Sequence, residues 1–319
     1  MAKLLETLIG GLSQGGVYAL IALGYTMVYG IAKMLNFAHG DIIMVGGYTI
    51  MVFFYQTGMP IVALLAAIVV CVAVGLLTER LAYRPLRGAS PLAVLITAIG
   101  VSSLLQSLTQ LIFGTASSMV IVNTFGTIKI GSLVIEVSTL ITLFSAAAVM
   151  IALTLFVNKT KTGKAMLAVS EDQGAAKLMG IGVNRVIAIT FAVGSALAAL
   201  AGYFSLLKSP SVSITMGSLP GIKAFTAAVI GGIGSITGSV LTSFLYIASL
   251  EWLLRGLDSG EFLGIQAPGL FKNGFRMAVV SVIIMCVVLF FRKGLMGDRE
   301  LSDLLKRKKK ASKGGKDNG

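Results

Sequence analysis

Pro60-Ile61-Val62-Ala63-Leu64-Leu65-Ala66-Ala67-Ile68-Val69-Val70-Cys71-Val72-Ala73-Val74-Gly75-Leu76-Leu77 is a run of eighteen residues without a charge. A helix needs roughly 20 apolar residues to cross the hydrocarbon core of a bilayer, and this run opens a candidate span over 60–82. Similar stretches recur at about 7–30, 40–57, 91–113, 136–157, 186–207 and 274–292. The interval 222–256 is equally apolar but broken by glycines. Over the 319 residues, 56% are hydrophobic and 12% charged, with a mean hydropathy of +0.91. Soluble domains carry about 25% charged residues, so this chain cannot furnish a water-facing surface. The fold class expected is all-α, a polytopic integral membrane helix bundle, with residues 1–297 forming one membrane domain.

Charge sets the orientation, because Lys and Arg in short connections mark the cytoplasmic side. Arg80, Arg84 and Arg87 fall in one connection. Lys159, Lys161, Lys164, Lys177 and Arg185 fall in a second, over 158–185. Ten more Lys and Arg follow from Arg292 onward. Placing all three inside requires an odd number of crossings between 208 and 292. Two segments in 222–256, turning at Gly231-Gly232-Ile233-Gly234-Ser235 near the cytoplasmic face, satisfy that parity. The count is then about nine with the N-terminus outside, or eight if residues 222–235 are re-entrant. Residues 298–319, with Lys306-Arg307-Lys308-Lys309-Lys310, read as a disordered basic cytoplasmic tail against an anionic leaflet, each basic residue contributing about 1 kcal/mol. A nucleic-acid partner is not expected, because no folded basic surface accompanies the run. Cys71 and Cys286 both lie in apolar runs and read as small buried hydrophobes.

Two segments depart from plain membrane helix. Ser170-Glu171-Asp172-Gln173 has the form of a capping box, with Ser170 as N-cap and Gln173 at N3. Gly180 suits the left-handed position after a helix end. The spacing predicts a short helix over 171–179 outside the membrane, either an interfacial element that closes a loop or a docking element for a cytoplasmic partner. Gly174 interrupts it at a cost of about 1 kcal/mol relative to alanine. The second segment is Leu35-Asn36-Phe37-Ala38-His39-Gly40-Asp41, which holds the chain's one histidine. Ionisable groups at membrane depth face a cavity or a partner. The charge count, however, puts this segment near the cytoplasmic ends of the spans, where Asn36 and Asp41 can cap helices. Capping, gate packing and substrate contact all remain open.

Chemistry is absent from the motif inventory. No phosphate loop of the G-x-x-x-x-G-K-[ST] form is present, since Thr162-Gly163-Lys164-Ala165 lacks the upstream glycine and the hydroxyl. H-E-x-x-H and G-x-S-x-G are also missing, and no Cys/His cluster has ligand spacing. Hence no catalytic residue, metal or cofactor is assigned. Such a protein either uses an ion gradient as a stand-alone secondary transporter, for which broken spans are the usual pointer, or takes its energy from another subunit.

In their order along the chain, several motifs resemble those of the permease subunits of branched-chain amino acid ABC importers. Leu35 to Asp41 resembles that family's first-loop signature. Thr162-Gly163-Lys164-Ala165-Met166 through Glu171-Asp172, Ala175-Ala176 and Gly180-Ile181 is similar to its cytoplasmic coupling segment. Gly231-Gly232-Ile233-Gly234-Ser235-Ile236-Thr237-Gly238 is similar to its late glycine turn, and Gly294-Leu295-Met296-Gly297 to its ending. The match is with the shorter of the family's two permeases and covers roughly residues 8 to 297, leaving the basic tail outside it.

The resemblance implies a non-enzymatic subunit of a bacterial plasma (inner) membrane importer. Its implied partners are a second, homologous permease in a heterodimer, two cytoplasmic ATP-binding subunits and an extracytoplasmic solute-binding protein. Ser170, Glu171, Asp172, Ala175, Ala176, Lys177 and Gly180 are the implied coupling residues. Asn36, His39, Gly40, Asp41, Gly231, Gly232, Gly234, Ser235 and Gly238 are the implied pathway or gate residues. Leucine, isoleucine and valine are the implied cargo, with urea or short amides as the alternative within the same family.

Overall fold

Uncharged runs of this length become helices because a backbone in lipid must satisfy its own N–H and C=O groups. The computed structural model describes residues 2–122, 126–130, 133–232, 234–245 and 282. Its helices are α1 (Ala2–Ala32), α2 (His39–Thr57), α3 (Pro60–Thr78), α4 (Pro91–Phe113), α5 (Val137–Lys159), α6 (Lys161–Glu171), α7 (Gln173–Leu178), α8 (Val183–Lys208) and α9 (Ser218–Gly231). After a break comes α10 (Ile236–Leu245). Prolines at the first helical position open α3 and α4, and Ser90 caps α4 by accepting from the Ala93 N–H, a place where the missing proline N–H costs nothing.

The fold is thus a helical membrane bundle, although not purely helical. β1 (Ser118–Met119) pairs antiparallel with β4 (Ser211–Val212), and β2 (Thr127–Ile130) forms a hairpin with β3 (Leu133–Glu136). Among the described residues, five helical stretches are long and apolar enough to cross a membrane: Leu8–Ala32, Pro60–Leu86, Pro91–Phe113, Val137–Lys159 and Val183–Lys208. The number becomes six if α9 and α10, bent by 120° at their junction, are taken as one. Apart from Val282, the expected span 274–292 lies outside the described residues, as do residues 246–256, Cys286 and the basic tail.

α1 is the hub. Of its most apolar window 94% is buried, against 17% for α4, so α4 presents most of its surface to lipid or to another chain. α8, α5, α9 and α6 all pack on α1, while α2 and α3 pack on α8. At one end of the bundle, Lys208 of α8 donates to the Gly10 carbonyl (3.1 Å) and Tyr55 of α2 to the Met119 carbonyl. At the other end, Gln173 of α7 donates to the Ile31 carbonyl of α1 (3.3 Å), and Arg87 bonds Asn184 of α8. This second end also carries Lys33, Arg84, Lys161 and Lys177, and is the basic end.

The gate segment is not where charge counting placed it. Residues 33–38 fold back from the basic end into the bundle, so that His39, the first residue of α2, packs against Gly24. Gly24 stands eight residues before the end of α1, about 12 Å at 1.5 Å per residue. The positive-inside rule reads only the charges flanking a span, and a non-helical segment that dips inward is invisible to it. α9 behaves alike. Its preceding residues run from β4, at the opposite end, to Gly217, which meets Gly40, and only then does the helix begin. Two helices therefore start inside the bundle, side by side.

Candidate functional site

Around those two starts lies a cavity of about 440 Å³, lined from α1 by Tyr25, from the α2 entry by Phe37, Gly40 and Asp41, from α4 by Ser102, and from α9 by residues including Ser218, Phe225 and Thr226. Asp41 is 3% exposed and sits in the first turn of α2, where the helix dipole favours negative charge. One of its oxygens accepts from Gln106 Nε2 at 2.8 Å, and Gln106 is also 3.4 Å from the Ser102 hydroxyl. A carboxylate at membrane depth costs about 2.5–3.5 kcal/mol, so a partner or a polar cavity is expected at its face.

Neighbouring residues of the segment are fixed by packing. α2 has no side-chain cap, which corrects the expectation that Asn36 and Asp41 cap helices. Asn36 instead accepts a hydrogen bond from the Tyr83 hydroxyl (2.9 Å), both groups buried. His39 is 1% exposed and stands edge-on to Tyr25 at 4.7 Å between ring centroids. Its Nε2 has no hydrogen-bond partner among the described residues. A Cβ at position 24 would collide with that nitrogen, so α1 carries a glycine where the imidazole lies.

The Tyr83 contact was not legible beforehand, because it depends on one π turn. α3 runs on through a π turn, Glu79–Tyr83, and a 3₁₀ turn, Arg84–Leu86. Insertions of this kind in α-helices cluster at functional sites. The extra residue rotates Glu79 inward to pair with Arg87, which also bonds Asn184, and swings Tyr83 onto Asn36. Replacing Tyr83 by phenylalanine is expected to destabilise the protein by about 1–3 kcal/mol, the cost of stranding a buried acceptor. A lower midpoint on thermal unfolding of the purified protein checks this, and an unchanged midpoint would mean that Asn36 finds another donor.

At the basic end the segment 158–185 forms two helices rather than one. Thr160 caps α6, and Ser170 lies in its last turn, bonding the Leu167 carbonyl. The cap of α7 is Asp172, which accepts from the N–H groups of Gly174 and Ala175 at 2.7 and 3.0 Å. The Ser170 capping box is therefore displaced by two residues, since aspartate caps as well as serine does. Gly174 then falls in the first turn of α7 and not in a helix interior. Gly180 does take the left-handed conformation, with φ +80°. Its N–H bonds the Lys177 carbonyl while Ile181 N–H reaches that of Ala176, each at 3.0 Å, the Schellman pattern. Glu171, Asp172, Ala175 and Lys177 are exposed, whereas Ala176 is buried. Leu178 and Met179 are 90% and 81% exposed, and sequence reading passed over both because they look like ordinary helix filler.

The glycine turn breaks α9 from α10. Gly232 and Gly234 have φ of +98° and +105°, a region closed to most side chains, and Gly234 lies against Gly30 of α1. Ser235 caps α10 through the Gly238 N–H at 3.1 Å, and Gly238 packs on Gly231 without room for a Cβ. The turn therefore sits at the basic end, away from the cavity. Asp41 and Gly40 line the cavity, Asn36 and His39 pack behind it, and Gly231 to Gly238 close the far end of α9.

Broken helices that begin inside a bundle, around a buried carboxylate and a cavity, define a membrane transport protein. The chain belongs to the family described as branched-chain amino acid transport system, permease component, which it matches over residues 7–291. It is 37% identical over 311 residues to the high-affinity branched-chain amino acid transport system permease protein BraD of Pseudomonas aeruginosa, covering 93% of this chain and 97% of that one. With the corresponding LivH protein of Escherichia coli the identity is 40%, over 93% of this chain and 96% of the other. A probable branched-chain amino acid transport permease protein LivH of Methanocaldococcus jannaschii is 28% identical over 88% of both chains.

Proposed function

We propose that this chain is one of two homologous permeases in an ATP-binding-cassette importer for leucine, isoleucine and valine. An extracytoplasmic binding protein delivers the amino acid, and two cytoplasmic ATP-binding subunits drive the cycle. The basic end of the bundle faces the cytoplasm, as the positive-inside rule requires, and the membrane is the bacterial inner membrane. Residues 1–297 are the permease domain and 298–319 the cytoplasmic tail. α6 and α7 are the handle for the ATP-binding subunit: Ser170, Glu171, Asp172, Ala175, Ala176, Lys177 and Gly180 shape it, and Leu178 and Met179 supply its apolar contact. The segment from Asn36 to Asp41 and the glycine turn at Gly231, Gly232, Gly234, Ser235 and Gly238 form the gated pathway.

One observation carries this reading. In a chain matched to the permease family along almost its whole length, the exposed α7 is tied to the end of α1 through Gln173 and Ile31. α1 in turn leads directly into the segment that enters the cavity. A push on α7 therefore reaches the gate through five residues of chain and one hydrogen bond. A conformational equilibrium moves only if the driving partner binds its two states differently, and a handle attached at this point provides that difference.

The test is uptake of labelled leucine by vesicles holding this chain with its neighbouring permease, ATP-binding subunits and binding protein. Uptake is expected to need both ATP and the binding protein. Leucine uptake by this chain alone on an ion gradient would replace the proposal with a secondary transporter, and uptake of urea but not leucine would reassign the cargo.

A further inference from the structure

The partners of the buried Asp41 carboxylate are all uncharged: the Gln106 amide, the Ser102 hydroxyl and its own backbone N–H. No Lys or Arg of the described residues lies within ion-pair distance of it. An ionised carboxylate accepts up to about four hydrogen bonds, and Asp41 lines the cavity with its charge uncompensated. That cavity, at about 440 Å³, falls within the roughly 300–1,000 Å³ of small-molecule sites. Its remaining wall is mixed. Phe37, Ile222, Phe225 and Val229 contribute apolar groups, and Ser102 and Ser218 contribute hydroxyls. A small molecule suited to this space carries a positive charge at one corner and a branched hydrocarbon at another.

We propose that the cavity is a transient binding site for the free amino acid, in which Asp41 holds the α-ammonium group and the aliphatic side chain lies against Phe37, Ile222, Phe225 and Val229. The proposal rests on the reading of the chain as an amino acid permease and adds where, and by which groups, the cargo pauses. It also gives a use beyond the helix start to an acid buried in the first turn of α2. As an amide, residue 41 would keep its size and its acceptor for Gln106, so apart from the helix dipole the packing does not require an acid. Gln106 positions the carboxylate, and Ser218, at the start of α9, marks the side open to the cargo's own carboxylate.

Asp41→Asn in the full assembled transporter is the test. Leucine uptake at subsaturating concentration is expected to fall about tenfold or more, the range spanned by loss of a charge-assisted hydrogen bond. Asp41→Glu should recover part of the uptake. A second measurement needs no change at Asp41. In a chain with Cys71 and Cys286 replaced by alanine, Ser102→Cys is labelled with a thiol reagent, and leucine with the binding protein is expected to slow that labelling. Wild-type uptake by Asp41→Asn, or labelling of Ser102→Cys that leucine does not slow, overturns the subsite while leaving the permease reading intact. If the Asp41→Asn transporter does not assemble, the labelling result alone decides. No leucine uptake by the wild-type assembly would instead sink the permease reading, and the subsite with it.

Discussion

Gly180→Val is expected to abolish leucine uptake by the assembled transporter while leaving the amount of chain in the membrane unchanged. Residue 180 has φ +80°, where an L-residue pays roughly 1–2 kcal/mol and a β-branched one is a true outlier. Two end bonds depend on that conformation, Gly180 N–H to the Lys177 carbonyl and Ile181 N–H to that of Ala176, each contributing about 0.5–1.5 kcal/mol. α7 has only six residues, so it cannot lose its last turn and remain a helix. Leu178 and Met179, both far out in solvent, would then no longer be held where a partner can grip them. The membrane spans are untouched, because nothing lies within 4 Å of a Cβ at position 180. Uptake, ATP hydrolysis and immunoblots of isolated membranes check the result. Gly180→Asn should retain most activity, since asparagine tolerates the left-handed region. Full uptake by Gly180→Val would mean that the shape of α7 does not matter to coupling.

The long spans were readable because in lipid one property decides them. The uncharged runs at 91–113 and 186–207 became α4 and α8 almost residue for residue, as did the stretch after Pro60. Depth was not readable. His39 and Asp41 carry the same letters whether they stand at a membrane surface or beside Gly24, and the flanking charges describe only where the spans end. What reveals the inward fold is a set of close approaches, Gly24 to His39 and Gly40 to Gly217, between residues far apart in the chain. Glycine was abundant enough at 38 residues to conceal which ones mattered.

Caps were legible in kind and wrong in register. A serine and an aspartate two positions apart both qualify as N-caps, and the choice fell to Asp172 because α6 runs on through Glu171. Local rules do not see that the preceding helix claims those residues first. The π turn at Glu79–Tyr83 is a similar case. It is stabilised by what it delivers, Tyr83 to Asn36 and Glu79 to Arg87, and the first of those partners lies 47 residues away in the chain. The Gly231–Ser235 break, by contrast, was correctly placed, because positive φ at Gly232 and Gly234 is a local demand that only the residue itself can meet.

Gly217→Val is expected to cost both stability and transport. A Cβ at position 217 would overlap the Gly40 carbonyl, and one at position 40 would come within 2.8 Å of the Gly217 carbonyl. Both obstacles are backbone, so no rotamer change relieves them, and one of the two helix starts must move. Overpacked sites of this kind typically lose about 1–3 kcal/mol, which thermal unfolding of the purified protein would register as a lower midpoint. Gly100→Ala is the comparison, since a Cβ there meets nothing within 4 Å and alanine is favoured over glycine inside a helix by about 0.5–1 kcal/mol. That variant should be as stable as wild type or more so. The effect on transport should exceed what the stability loss explains, because Gly40 and Ser218 both line the cavity and any shift that frees the valine separates them. Uptake per folded transporter, measured at a temperature well below the variant's unfolding midpoint, isolates that part. If it matches wild type, the junction of α2 with α9 serves only packing, and the pathway must run elsewhere in the bundle.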